Sequence, residues 1–204
     1  MPINKIYILI ILIFSDLHLQ SIGKLLDSRW NYKSMIGDMN IRYKFFSSAK
    51  ENSEKEKVLF VHGFGGNSDQ FRKNMPYLAT SGFDSYAIDL LGYGLSDKPN
   101  PKQYPTNYLY NFDTWADQTT SFIKEVVQEP CYLVCNSVGG MVGLQAALQS
   151  PQMIKGVILI NISLRMLNIK KQPPIIRPFV YALQVHFFQE YFYHNISSFV
   201  RRLY

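Results

Sequence analysis

The run Cys135-Asn136-Ser137-Val138-Gly139-Gly140 sets a serine between two small residues, one two positions before it and one two positions after. A serine that attacks a carbonyl carbon works best on a sharp turn between a strand and a helix. There its Oγ projects above the end of a sheet, and small flanking residues let strand and helix approach. Cys131–Cys135 reads as a buried strand and Val138–Leu148 as an almost wholly apolar helix, which is the context such a turn requires. The helix N-terminus adds a positive dipole and leaves the Val138 N–H free to stabilise an oxyanion. Ser137 is therefore read as a nucleophile rather than as a surface serine at a glycine-rich helix start. Cys135 stands where glycine is usual, a mild departure because cysteine is also small.

An oxyanion hole needs a second N–H, and His62-Gly63-Phe64-Gly65-Gly66-Asn67 offers one from Phe64 after the short apolar run Val58–Val61. The loop lacks the Gly-Lys-Ser/Thr ending of a phosphate cradle. His62 precedes the loop instead of facing the serine, so it is read as structural. A third glycine-bearing segment runs from Asp89 to Pro99 as Asp-Leu-Leu-Gly-Tyr-Gly-Leu-Ser-Asp-Lys-Pro. Tyr93 and Trp115 are placed in the core or at the rim of a pocket.

The elements that must position these residues are short. Met39–Phe46 alternates as a strand; Val58–Val61, Ser85–Ile88, Cys131–Cys135 and Val157–Ile160 are brief apolar runs. Between them lie helical patterns. Asn67 and Gln70 are spaced as an N-cap and its partner three residues on, with Pro76 breaking or restarting that stretch. Phe112, Trp115, Thr119, Phe122, Ile123 and Val126 follow Asn111 and Asp113 at helical spacing. Buried strands alternating with helices predict an α/β fold: a doubly wound, mostly parallel sheet with helices on both faces.

Three motifs in this order, the His-Gly loop, the Asp89 segment and the serine turn, resemble the α/β-hydrolase superfamily. More narrowly, Cys-Asn-Ser-Val-Gly-Gly-Met-Val-Gly-Leu-Gln-Ala-Ala from residue 135 and Leu-Ile-Asn-Ile-Ser-Leu-Arg-Met-Leu from residue 159 are similar to plant and algal pheophytinase-like plastid hydrolases. The resemblance covers roughly residues 29–180. It implies a carboxylic ester substrate, a large apolar one such as a chlorophyll derivative, an acyl-serine intermediate, no cofactor and a plastid location. It also implies that Asp89 shapes a loop and is not the catalytic acid. Epoxide hydrolases and dehalogenases are similar elsewhere but carry aspartate at the position of Ser137.

A serine hydroxyl needs a positioned base and an orienting carboxylate. After Ser137 the sequence holds one acid, Glu190, and two histidines, His186 and His194, none behind an obvious strand. They sit four apart and read as the solvated face of an aromatic helix. No acid or base is assigned, and no metal. The chain ends at Tyr204 inside what the resemblance would make a cap, so the sequence reads as C-terminally truncated, with the last strands missing. The alternative to an esterase is thus a catalytically incompetent homologue that acts by binding.

Composition adds limits. The 204 residues are 47% hydrophobic, as in an ordinary globular chain, and carry only two cysteines, too few for a disulfide scaffold. Cys131 and Cys135 would lie ~13 Å apart along a strand, beyond disulfide reach, and are read as free thiols. The net charge of +6 arises entirely after residue 137, where basic residues occur singly or in pairs among aromatics. That pattern excludes sequence-specific nucleic-acid binding and suggests contact with a membrane surface. An exposed sheet edge would favour self-association. The domain expectation is an apolar N-terminal segment over 1–28, a hydrolase core over 29–163, and an incomplete basic, aromatic cap over 164–204. The apolar run Ile6–Phe14 is too short to span a bilayer and is read as signal-like, or as a buried or frayed segment.

Overall fold

The computed structural model describes residues 25–34, 37–48, 55–104 and 109–162. The run Ile6–Phe14 and the segment over 164–204, with His186, Glu190 and His194, lie outside the described residues.

Four short strands run parallel in the sheet: β3 (Glu56–Val61), β4 (Phe83–Ile88), β5 (Cys131–Asn136) and β6 (Ile154–Ile160). Ahead of them β1 (Leu25–Ser34) and β2 (Gly37–Phe46) form an antiparallel ladder from Leu25↔Phe46 to Ser34↔Gly37. β2 then joins β4 antiparallel, Tyr43 opposite Ile88, giving the order β1-β2-β4-β3-β5-β6. The mostly parallel sheet agrees with the sequence. β2 contains the expected strand Met39–Phe46, whereas β1 has no counterpart among the expected elements. Its segment LLDSRWNYKS buries only Trp30 and Tyr32, so little apolar periodicity marks it as a strand.

Successive residues of the parallel strands face opposite sides, and both sides are covered. Val58, Phe60, Ala87 and Val134 pack on Phe71 and on Met75 and Ala79 of α1 (Asn74–Thr80). Leu59, Val61, Ile88, Leu133, Cys135, Val157 and Leu159 pack on the other side. Their partners are Trp115, Ala116 and Phe122 of α2 (Phe112–Phe122) and Val142 and Ala146 of α3 (Val138–Gln149). Each such buried aliphatic or aromatic side chain is worth about 1.5–3 kcal/mol, which is why such short apolar runs suffice as strands.

The helix termini follow their caps. Asn111 accepts from the Thr114 N–H at 2.8 Å and starts α2. The stretch after β3 divides into a 3₁₀ turn, Ser68–Phe71, capped by Asn67, and then α1. Pro76 sits in the first turn of α1, where its missing N–H costs nothing. The last turn of α2 widens over Ile123–Val127 into a π-helix closed by Gln128 in the left-handed region (φ 62). Glu125 of that turn accepts from the Trp30 indole at 3.0 Å and ties β1 to the helix layer. Among the described residues no helix is long and apolar enough to cross a membrane.

Candidate active site

Ser137 lies between β5 and α3 with φ 52 and ψ −115, a conformation that a residue with a side chain adopts only when its surroundings impose it. Two hydrogen bonds impose it here. The Ser137 N–H donates to the Ile160 carbonyl at the end of β6 (2.9 Å), and its own carbonyl accepts from the Gly140 N–H (3.1 Å). Missing side chains do the rest. A Cβ on Gly139 would stand 2.5 Å from the His62 carbonyl oxygen and 2.6 Å from that of Val61. A Cβ on Gly63 would stand 3.0 Å from the Ser137 Cβ. The serine turn is therefore seated directly on the end of β3 and on the loop that follows it.

The departure at Cys135 has a counterpart one helical turn past Gly139. A Cβ on Gly143 would stand 2.4 Å from the Cys135 Sγ, so α3 leaves room for the sulfur that replaces the usual glycine. Both cysteines are buried and unpaired with each other. Burial pushes the Cys131 thiol up to about 12 and the Cys135 thiol higher, which keeps both protonated and unreactive.

The loop after β3 is a tight turn. The Gly66 N–H donates to the Gly63 carbonyl at 3.0 Å, with Gly65 at φ 70 in the third position, where a type II turn requires glycine. Phe64 occupies the second corner, 78% exposed, with its ring edge-on to Tyr93. His62 is fully buried below it. The Leu90 N–H donates to its Nε2 at 3.0 Å, which makes Nε2 an acceptor and leaves the proton on Nδ1, 2.8 Å from the Gly63 carbonyl. Burial lowers its pKa against the opposing pull of that carbonyl and of Asp89. A neutral imidazole with both nitrogens engaged is a brace and cannot serve Ser137 as a base.

The third segment is organised from inside. Asp89 is fully buried; its Oδ1 accepts from the Ser68 N–H at 2.6 Å and its Oδ2 from the Leu95 N–H at 2.8 Å. Its carbonyl accepts from the Ser96 hydroxyl and the Gln118 amide. Gln118 also accepts from the Leu91 N–H, and the buried Trp115 donates to the Leu91 carbonyl. Asp89 is thus an organiser of backbone, with each oxygen holding an N–H. Tyr93 stands half-buried between His62 and Trp115, with ring centroids 5.2 and 5.7 Å away.

The structure therefore brings together Ser137, the Gly63-Phe64 turn and the first residue of α3, Val138. No histidine, aspartate or glutamate follows Ser137 among the described residues. The sequence reading gave no role to Gly143, although it lies in the run from Cys135, or to Gln118, because each is defined by a partner more than seven residues away.

Comparison with known proteins decides the fold family. A family model described as alpha/beta hydrolase fold matches residues 57–203. The chain belongs to the α/β-hydrolase family. It is 31% identical over 147 residues to the chloroplastic pheophytinase of Arabidopsis thaliana, covering 59% of this chain and 30% of that protein. It is 25% identical over 123 residues to a strigolactone esterase of Pisum sativum, covering 60% of this chain and 45% of that one. The chain thus spans less than half the length of these relatives. A loop variant of a haloalkane dehalogenase from Bradyrhizobium elkanii superposes with a TM-score of 0.53 at 26% identity, over 67% of this chain and 40% of that one. Family members that are esterases and dehalogenases share this fold, so the reaction has to be argued from the site.

Proposed function

We propose that this chain carries the nucleophile and oxyanion site of a serine hydrolase of carboxylic esters. The observation that supports it most is Ser137 itself: a serine in the left-handed region, at the head of α3, with the Gly63-Phe64 turn packed against its Cβ. In the reaction, Ser137 Oγ attacks the ester carbonyl carbon and loses its proton. The N–H groups of Phe64 and Val138 hold the negative oxygen of the tetrahedral intermediate. The C–O bond then breaks, the alcohol leaves with a proton, and water hydrolyses the acyl-Ser137. The similarity to pheophytinase supports a large apolar ester, of the chlorophyll-derivative class, as substrate.

A complete cycle needs a base for the serine proton, and none follows Ser137 among the described residues. Removing the histidine of a serine triad lowers turnover by roughly 10⁶-fold while leaving a residual rate from the oxyanion hole. With the oxyanion site alone, Ser137 acylates slowly, with a rate proportional to hydroxide. With an excess of a p-nitrophenyl ester it should release about one equivalent of p-nitrophenolate per chain, then stall. Ser137→Ala should abolish that release. Release that survives Ser137→Ala would contradict the proposal. A second reading is a homologue that binds apolar esters without reacting; it predicts binding of such an ester and no Ser137-dependent release.

A further inference from the structure

Arg42 belongs to none of the sequence motifs, yet both loops around Ser137 converge on it. It is buried in β2, 6% exposed, and its guanidinium forks onto Asp27 of β1 through Nε (2.9 Å) and Nη2 (2.6 Å). Nη1 donates to Asp69 at 2.9 Å and lies 3.6 Å from Asp89 Oδ2. The main chain of Arg42 grips the same region. Its N–H donates to the Ser96 hydroxyl at 3.0 Å, and its carbonyl accepts from the Asp89 N–H at 2.9 Å. Lys44 adds a second cation on Asp69. Asp69 stands in the 3₁₀ turn that ends the Phe64 loop, between Ser68, whose N–H holds Asp89, and Phe71 in the core. Together the two cations hold the Asp69 carboxyl down to about 2. A Cβ on Gly94 would stand 2.0 Å from Asp89 Oδ2 and 2.9 Å from the Asn67 Cβ, so the two loops are in close contact at this point.

We infer that Arg42 is a positioning residue for the Ser137 site: one guanidinium fixes the far end of the Phe64 loop through Asp69 and the start of the 89–96 loop through Asp89. This rests on the reading of Ser137 as nucleophile and of the Phe64 N–H as oxyanion donor. The physical reason is charge. A fully buried carboxylate is tolerated only when hydrogen-bonded and paired. Asp89 has two N–H donors and one cation, Arg42. Without the guanidinium the Asp89 carboxylate draws toward solvent, Ser68 follows it, and the turn that aims Phe64 shifts. Asp27 touches the same guanidinium but neither loop, so it supports Arg42 from outside and serves as the control.

The experiment follows phosphonylation of Ser137 by an alkyl fluorophosphonate, read by intact-protein mass spectrometry, beside hydrogen exchange of residues 62–69 and 89–96. Arg42→Gln is expected to slow labelling roughly 10–100-fold, the scale set by misplacing a catalytic group by about 1 Å. It should also speed exchange in those two segments, with β3 and β5 unchanged. Arg42→Lys should recover part of both. Asp27→Asn should label within about twofold of the parent even if it melts lower, because it leaves both loop contacts in place. If Arg42→Gln does not fold, Asp69→Asn, which keeps Arg42 on Asp27 and Asp89, is expected to show the same slowing and exchange. Labelling at the parent rate in folded Arg42→Gln, or an equal slowing by Asp27→Asn, would overturn the inference. Absence of labelling in the parent chain would sink the serine reading instead, and the exchange rates of the two segments would still decide for or against Arg42.

Discussion

The serine turn and the 89–96 loop meet at the same end of the sheet and are held in opposite ways. The turn is positioned by what is missing: Gly63, Gly139 and Gly143 let backbone and sulfur come closer than any Cβ would permit. The loop is positioned by what is present: a buried carboxylate, a buried amide and an indole N–H, each spent on main-chain groups. One region should therefore fail when volume is added and the other when a polar group is taken away.

The largest effect is expected in the loop. Asp89→Ala removes the acceptor of the Ser68 and Leu95 N–H groups and leaves Arg42 short of a counter-charge. Losing one partner of a buried pair costs about 3–5 kcal/mol, which denaturant unfolding would measure. Asp89→Asn, isosteric but able to accept at only one end, should cost less. Next comes Gly139→Ala. Its Cβ meets the carbonyl oxygens of Val61 and His62, which are backbone and cannot swing aside, so the upper end of overpacking, about 3 kcal/mol, is expected. If Gly139→Ala were harmless and Asp89→Ala mild, the contrast between the two regions would collapse.

A smaller effect sharpens the contrast. Gly143→Ala should cost about 1–3 kcal/mol through its clash with the Cys135 sulfur. In a Cys135→Ala background most of that cost should vanish, giving a coupling above about 0.5 kcal/mol in a double-mutant cycle. Additive effects would mean that the helix is not spaced by the sulfur.

The smallest effect is on pH. His62 has a pKa lowered by burial, so the unfolded chain binds its proton more readily than the folded one. Stability contributed by neutral His62 is complete above about 6.5, its unfolded value, and is lost as pH falls below it. Asp113 and Asp117, whose pKa values burial raises, act in the opposite sense as they protonate. Asp69, held down to about 2, gives way only at lower pH, in the window from about 4 to about 2. His62→Asn should flatten the fall that begins near pH 6.5 and leave the acid limb intact in pH-dependent unfolding.

The same contrast explains what could be read from the chain alone. Ser137, Gly139, Phe64 and the glycines of both loops sit inside short motifs whose spacing states their purpose, and the four parallel strands are apolar runs that need no partner to be recognised. β1 is different: LLDSRWNYKS becomes a strand because β2 offers it ten paired positions and Glu125 receives its Trp30. The π turn over Ile123–Val127 continues the helical apolar spacing and leaves no mark in it. The group around Arg42 joins residues 27, 69 and 89, which lie 15, 27 and 47 positions from it, a range over which no pattern in a single sequence points from one to the next.

The central claim is that Ser137 is the nucleophile, and one mass spectrum tests it. The parent chain and its Ser137→Ala variant, confirmed folded, are each held with an alkyl fluorophosphonate at pH 9 and weighed over hours. A slow gain of a single phosphonyl group in the parent, mapped to Ser137 and absent from the variant, is the predicted result. Equal labelling of both chains, or none in a folded parent, would contradict it.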